Sequence, residues 1–78
     1  MATFYVKVSY SSGQPVKGSR VVLAFYGLSR ANTSTEYTNS EGYAIFSGYD
    51  PGRADIIVDG STRTTRYLND GDTVSITI

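Results

Sequence analysis

The side chains of this chain that have chemistry to offer are few, and most of them are oxygen donors. Asn69, Asp70 and Asp72 fall close together and carry the amide and carboxylate oxygens that a calcium ion takes. The same run, Asn-Asp-Gly-Asp, is also the composition of a tight turn, which accounts for it without an ion, and no metal or other cofactor is expected. Asp55 and Asp59 lie on one strand face; at roughly 3.3 Å per residue they stand about 13 Å apart. Paired glycosidase carboxyl groups stand only about 5 to 9.5 Å apart, so these two aspartates are read as solvated surface groups. Histidine and cysteine are absent. Their absence removes Ser-His-Asp and Cys-His catalysis and ordinary zinc sites, and the chain is expected not to be an enzyme.

What remains is contact chemistry. Seven tyrosines occur in 78 residues, with no tryptophan. Tyrosine brings a large apolar ring and a hydroxyl to an interface at small entropic cost, yet it is also simply a good strand residue. Tyr26, Tyr37 and Tyr49 are the candidates for stacking on a carbohydrate.

The rest of the composition narrows the class further. A chain of this length makes one domain and buries only about 60% of the surface its unfolded form exposes. Net stability of roughly 4 to 12 kcal/mol is expected. It must come from packing, since no disulfide can form. Seven basic and seven acidic residues cancel and are scattered, so the basic footprint of a nucleic-acid binder is missing. No window approaches the ~20 apolar residues of a membrane span, and the N-terminus lacks the charged, apolar and small-residue succession of a signal peptide. Lack of cysteine leaves the compartment open.

Periodicity supplies the elements that position these groups. Thr3 to Tyr10 alternate, with Phe4, Val6, Val8 and Tyr10 on one face and Tyr5, Lys7 and Ser9 on the other. Turn residues fill Ser11 to Gly18. Ser19 to Tyr26 is a second strand with two apolar faces, Val21, Leu23 and Phe25 against Val22, Ala24 and Tyr26, as in a strand covered on both sides. Gly27 to Ser34 reads as the longest loop. Ser34 to Thr38 and Tyr43 to Ser47 read as a β-hairpin about the turn Asn39 to Gly42, where Gly42 can take positive φ without a Cβ penalty. Gly48 to Gly52 is a second tight connection.

Arg53 to Asp59 turns Ala54, Ile56 and Val58 inward and leaves Ile57 outside. Ser61 to Leu68, rich in threonine and arginine, is expected at a sheet edge. Asn69 to Asp72 reads as a hairpin turn leading into Thr73 to Ile78, with Val74, Ile76 and Ile78 inward. The sum is an all-β, seven-stranded antiparallel Greek-key sandwich.

Three fragments carry a family resemblance. Gly13-Gln14-Pro15-Val16-Lys17-Gly18-Ser19-Arg20-Val21 resembles the G-x-P-V-x-G-A-x-V opening of carboxypeptidase regulatory-like domains. Thr38-Asn39-Ser40-Glu41-Gly42-Tyr43-Ala44-Ile45-Phe46 is similar to their T-D-x-x-G-x-f-x-f segment, and Pro51-Gly52 followed by Ile56-Ile57-Val58 to their P-G-x-Y-x-v-x-v strand. The chain departs from the pattern at Asn39, where Asp is frequent, and at Ala54, where Tyr is common. The resemblance implies a transthyretin-like, immunoglobulin-like sandwich acting as an accessory extracellular or cell-surface module: a spacer, adhesion unit or weak carbohydrate binder. Related collagen-adhesin B-type domains carry an internal Lys to Asn isopeptide bond. No such bond is expected here, because Lys7 alternates to the outer face and the last strand holds no Asn.

In an immunoglobulin-like order the first, second, fourth and fifth of the seven strands share a sheet. That order would gather the outward residues Tyr5, Val22, Ala24, Tyr43, Ile45 and Ile57 into one apolar patch. The expected function is therefore that of a non-catalytic module binding protein through this patch, either another copy as a homodimer or a neighbour in its parent chain. Carbohydrate binding through exposed tyrosines is the alternative.

Overall fold

The fold is seen in a computed structural model that describes residues 1–27 and 31–78. The described residues form strands and no helix: β1 (Ala2–Ser9), β2 (Arg20–Phe25), β3 (Ala31–Asn32), β4 (Glu36–Tyr37), β5 (Tyr43–Tyr49), β6 (Gly52–Val58), β7 (Ser61–Leu68) and β8 (Thr73–Thr77). All seven strands read from the sequence are present within two residues at either end. β3 adds a short pairing inside the segment read as the longest loop, of which positions 28–30 lie outside the described residues. No helix of the structure is long and apolar enough to cross a membrane.

The strands make two sheets, one ordered β5-β1-β8 and one ordered β3-β2-β6-β7 with β4 paired to the start of β2. Alternation decides which side of each sheet is dry. β1 buries every second residue, so Phe4, Val6 and Val8 meet Ala44 and Phe46 of β5 and Val74 and Ile76 of β8 in one core. From the other sheet Val21, Leu23, Ala54, Ile56, Val58 and Leu68 complete it, and Phe25 leans on Phe4 with ring centroids 5.8 Å apart. The result is a β-sandwich-like fold. β7 lies at a sheet edge, where its polar composition placed it. Tyr10 and Ile78, expected to point inward, are 49% and 37% exposed, because their strands stop one residue earlier at Ser9 and Thr77.

Sheet membership departs from expectation at both turns read as hairpins. β4 bonds to β2, whereas β5 bonds to β1, so the turn at 39–42 carries the chain from one sheet to the other. The turn is self-sufficient: Asn39 Oδ1 accepts the Glu41 and Tyr43 amides at 3.0 and 3.1 Å, and the Asn39 amide donates to the Tyr43 carbonyl. It needs no strand pairing on either side. The turn at 69–72 does the same. β7 belongs to the second sheet, and β8 crosses to lie parallel to β1, with Val6 opposite Val74 and Val8 opposite Ile76. The sheets are therefore not wholly antiparallel. Asp72 Oδ2 accepts the Asn69 amide at 2.7 Å, and Asp70 Oδ1 accepts the Thr3 amide at 2.9 Å, which ties the crossing to β1.

Asp59 is at the surface, as expected, and is also tied into the fold. It closes the β6–β7 hairpin with φ of 50°, a conformation that Asp tolerates better than most residues. Its carboxylate accepts the Arg20 amide at 3.0 Å and the Ser19 hydroxyl at 3.2 Å. The acid thus fastens the end of β6 to the start of β2.

Candidate functional site

The outer face of the three-stranded sheet is built by the positions that alternate away from the core. Tyr5 of β1 stands directly across from Ile45 of β5 on one side and Thr73 of β8 on the other. Lys7 stands across from Tyr43, and its Nζ lies 5.4 Å from the centre of the Tyr43 ring, a cation–π distance. Tyr5, Tyr43, Ile45 and Thr73, with Asn39 and Glu41 from the crossing turn, line an open concavity of about 310 Å³. Ile45, on the edge strand β5, is 46% exposed. An apolar strand residue flanked by two tyrosines and rimmed by a lysine and a glutamate combines a hydrophobic anchor with charges of both signs.

Tyr5, Tyr43 and Ile45 are therefore brought together as expected, and Val22, Ala24 and Ile57 are not. The latter three lie on β2 and β6, on the outer face of the other sheet, because β1 pairs with β5 and β8 and never with β2. Within that sheet Val22 faces Ile57 in register, both half-buried, and Ala24 is only 7% exposed. The single apolar patch divides between the two sides of the molecule.

The second face carries a polar cluster that sequence reasoning passed over. Asp55 Oδ1 accepts hydrogen bonds from the Tyr26 hydroxyl at 2.8 Å and from the Thr65 hydroxyl at 2.6 Å, while the Arg53 guanidinium lies 5.7 Å from the Tyr26 ring centre. The signal was available: Arg53, Asp55 and Ile57 alternate outward on β6, and Thr65 pairs with Asp55 once β7 is folded back. Asp55 lies on β6 and Asp59 in the turn just past its end, and each is engaged with different partners.

The three candidate tyrosines for sugar stacking do not form one platform. Tyr37 pairs with Arg20 at the start of β2, whereas Tyr26 follows its end, about 20 Å away at roughly 3.3 Å per residue. Tyr49 stacks on Phe25, with centroids 6.3 Å apart and planes 22° apart. Tyr26 and Tyr49 do meet around a second concavity of about 230 Å³, completed by Phe25, Asp50, Pro51 and Gly52. Among the described residues no group of three or more acidic side chains converges as a cation site.

Fold and surface together define a small β-sandwich-like module with one concave aromatic face on its smaller sheet. No protein-family model matches the chain, and no curated protein does. Among solved structures it is similar to part of the Bacillus anthracis TIE protein, with a TM-score of 0.68 over 99% of this chain at 10% sequence identity. The chain spans 16% of that protein's length. At that identity the likeness shows the fold alone.

Proposed function

We propose that this chain is a non-catalytic module of the immunoglobulin-like, transthyretin-like Greek-key sandwich class, and that it works by binding a protein through the outer face of β5-β1-β8. The observation that carries the reading is the concavity lined by Tyr5, Tyr43 and Ile45, with Lys7 over the Tyr43 ring. Buried aromatic anchors within a polar rim are how protein interfaces concentrate their binding energy. The resemblance of the turn fragments to carboxypeptidase regulatory-like domains supports the same class and favours an extracellular or cell-surface setting. The partner is another copy or a neighbouring module of the parent chain.

The test uses peptides selected from a displayed library against the full chain. Their titration should shift the amide signals of Tyr5, Tyr43 and Ile45. Ile45→Lys should abolish binding while changing stability by no more than about 0.5 kcal/mol, because the side chain is already half in water. Binders that shift other residues and ignore Ile45→Lys would sink the reading.

A second reading, carbohydrate binding, rests on the concavity lined by Tyr26 and Tyr49. A glycan array separates the two. Saturable binding that moves the Tyr26 and Tyr49 signals supports a carbohydrate-binding module, and silence leaves the protein-binding face.

A further inference from the structure

Every open sheet has edges, and an edge strand with unpaired amides and carbonyls is a template for another strand unless something blunts it. Three of the edges here carry such devices. On the second sheet, β3 and β4 are two residues each, and β7 carries Arg63 and Arg66 along its length. On the first sheet, the outer edge of β5 is capped at Tyr43, whose carbonyl accepts the Asn39 amide and whose amide donates to the Asn39 side chain. The same strand is bent at its far end by a bulge, where Ala2 pairs with Tyr49, Thr3 pairs with Ser47, and Gly48 between them has φ of 90°.

β8 has none of these. Thr73-Val74-Ser75-Ile76-Thr77 contains no charge, no proline and no glycine, four of its five residues are β-branched, and its pairing with β1 runs without a register shift. Among the described residues nothing pairs with its outer side.

The phase of the ladder says which groups that side presents. Tyr5 donates to the Asp72 carbonyl at 2.9 Å, and Ile78 donates to the Ser9 carbonyl at 2.9 Å. In a parallel ladder alternate residues of a strand bond to the same neighbour, so Val74 and Ile76 bond to β1. The amides and carbonyls of Thr73, Ser75 and Thr77 point outward.

We infer that β8 is a self-pairing edge: two copies join antiparallel about a two-fold axis at Ser75, forming one continuous sheet across both molecules. The inference rests on the reading of this chain as a protein-binding module and adds an edge beside the Ile45 face, with which it shares Thr73. The hydrogen-bond phase is self-complementary about that axis. Ser75 meets Ser75 of the second copy, and Thr73 meets its Thr77, so every outward residue faces an outward residue. The result is about six new bonds, two for each of the pairs.

Side chains agree with that register. Thr73, Ser75 and Thr77 lie on the exposed face, where threonine pairs across strands are favourable. Val74 comes opposite Ile76 of the second copy on the buried face and extends the core across the junction. A two-fold contact needs one patch to match itself, and an uncharged strand does so without like-charge repulsion.

The experiment reads mass by light scattering and amide exchange by NMR on the full chain at about 10 µM and about 1 mM, since a dimer is concentration-dependent. The expected result is a mass that doubles on concentration, with the amides of Thr73, Ser75 and Thr77 gaining roughly tenfold protection while those of Val74 and Ile76 are protected at both concentrations. Ser75→Pro removes only an outward amide, a substitution an edge strand accepts. Ser75→Lys sets two cations face to face. Both should remain folded and raise the dimer dissociation constant at least about tenfold.

Should the proline variant fail to fold, Ser75→Lys decides alone, against Ser75→Thr, which should dimerise as the parent does. A monomer at about 1 mM, or a dimer indifferent to Ser75→Lys, overturns the inference. So does an edge that gains protection only when an extended peptide is added, which assigns it to a foreign strand. Ile45→Lys separates the two surfaces: it should abolish peptide binding at the aromatic face and leave the β8 dimer intact.

Discussion

Gly42→Ala is expected to lower stability by about 2 to 4 kcal/mol and the melting temperature by more than about 10 °C. Gly42 has φ of 85°, where any L side chain is strained, and a Cβ built on it would stand 2.6 Å from the Val8 carbonyl oxygen and 3.1 Å from the Pro15 ring. That carbonyl cannot easily retreat. It accepts the Val16 amide at 2.9 Å, while the Val8 amide donates to the Gly42 carbonyl at 2.8 Å. Relieving the contact therefore disturbs β1 and the Pro15 loop together. Gly71→Ala is the control, since Gly71 has the same φ of 85° with nothing within 4 Å of the added Cβ. It should cost only the left-handed penalty of about 1 kcal/mol. Thermal unfolding of both variants measures the difference, and equal losses would show that the Val8 contact contributes nothing.

The comparison of those two glycines shows what a sequence conveys about such a fold. Both turns were legible, because Asn39-Ser40-Glu41-Gly42 and Asn69-Asp70-Gly71-Asp72 carry the side chains and the glycine that a tight turn requires. The strands were legible too, since alternation is a local property and β1, β6 and β8 bury every second residue. What did not show was where each strand goes after its turn. A turn stabilised by its own Asn39 side chain has the same composition whether the next strand folds back on the last or crosses to the opposite sheet.

That one ambiguity carries through to the site. Tyr5, Tyr43 and Ile45 meet because β1 and β5 share a sheet, as expected, and are paired within it. Val22, Ala24 and Ile57 were assigned to the same face through a sheet order that the long-range pairings do not follow. Asp55 was misread for a related reason. Its partners Tyr26 and Thr65 come from different strands, and no short window contains all three. Likewise the open edge of β8 is a consequence of its parallel pairing to β1, which no local pattern announces.

Thr38→Val should cost about 2 kcal/mol, nearly all of it through hydrogen bonds, since valine has almost the same shape. Thr38 is buried, its hydroxyl donates to the Val16 carbonyl at 2.6 Å, and the same oxygen accepts the Ser19 amide at 2.9 Å. Removing it leaves a donor and an acceptor inside the protein without partners, which is more expensive than never having formed the bonds. The residue matters because of where it sits. β4 belongs to one sheet and β5 to the other, and Thr38 holds the start of that crossing to the Val16–Ser19 segment through its side chain and through backbone bonds with Gly18 and Ser19. Thr33 repeats the device nearer β3, its hydroxyl accepting the Leu23 amide at 3.1 Å, so the intervening segment hangs on β2 at one end and on the residues just before β2 at the other. Thr38→Ser separates hydroxyl from methyl. It keeps both hydrogen bonds and should lose only about 1 kcal/mol of buried apolar surface. Urea midpoints at unchanged m-value measure both variants, and exchange of the Ser19 amide should accelerate in Thr38→Val alone. A valine variant as stable as the parent, or a serine variant that loses as much as valine, would mean that the crossing is held by packing and not by this hydroxyl.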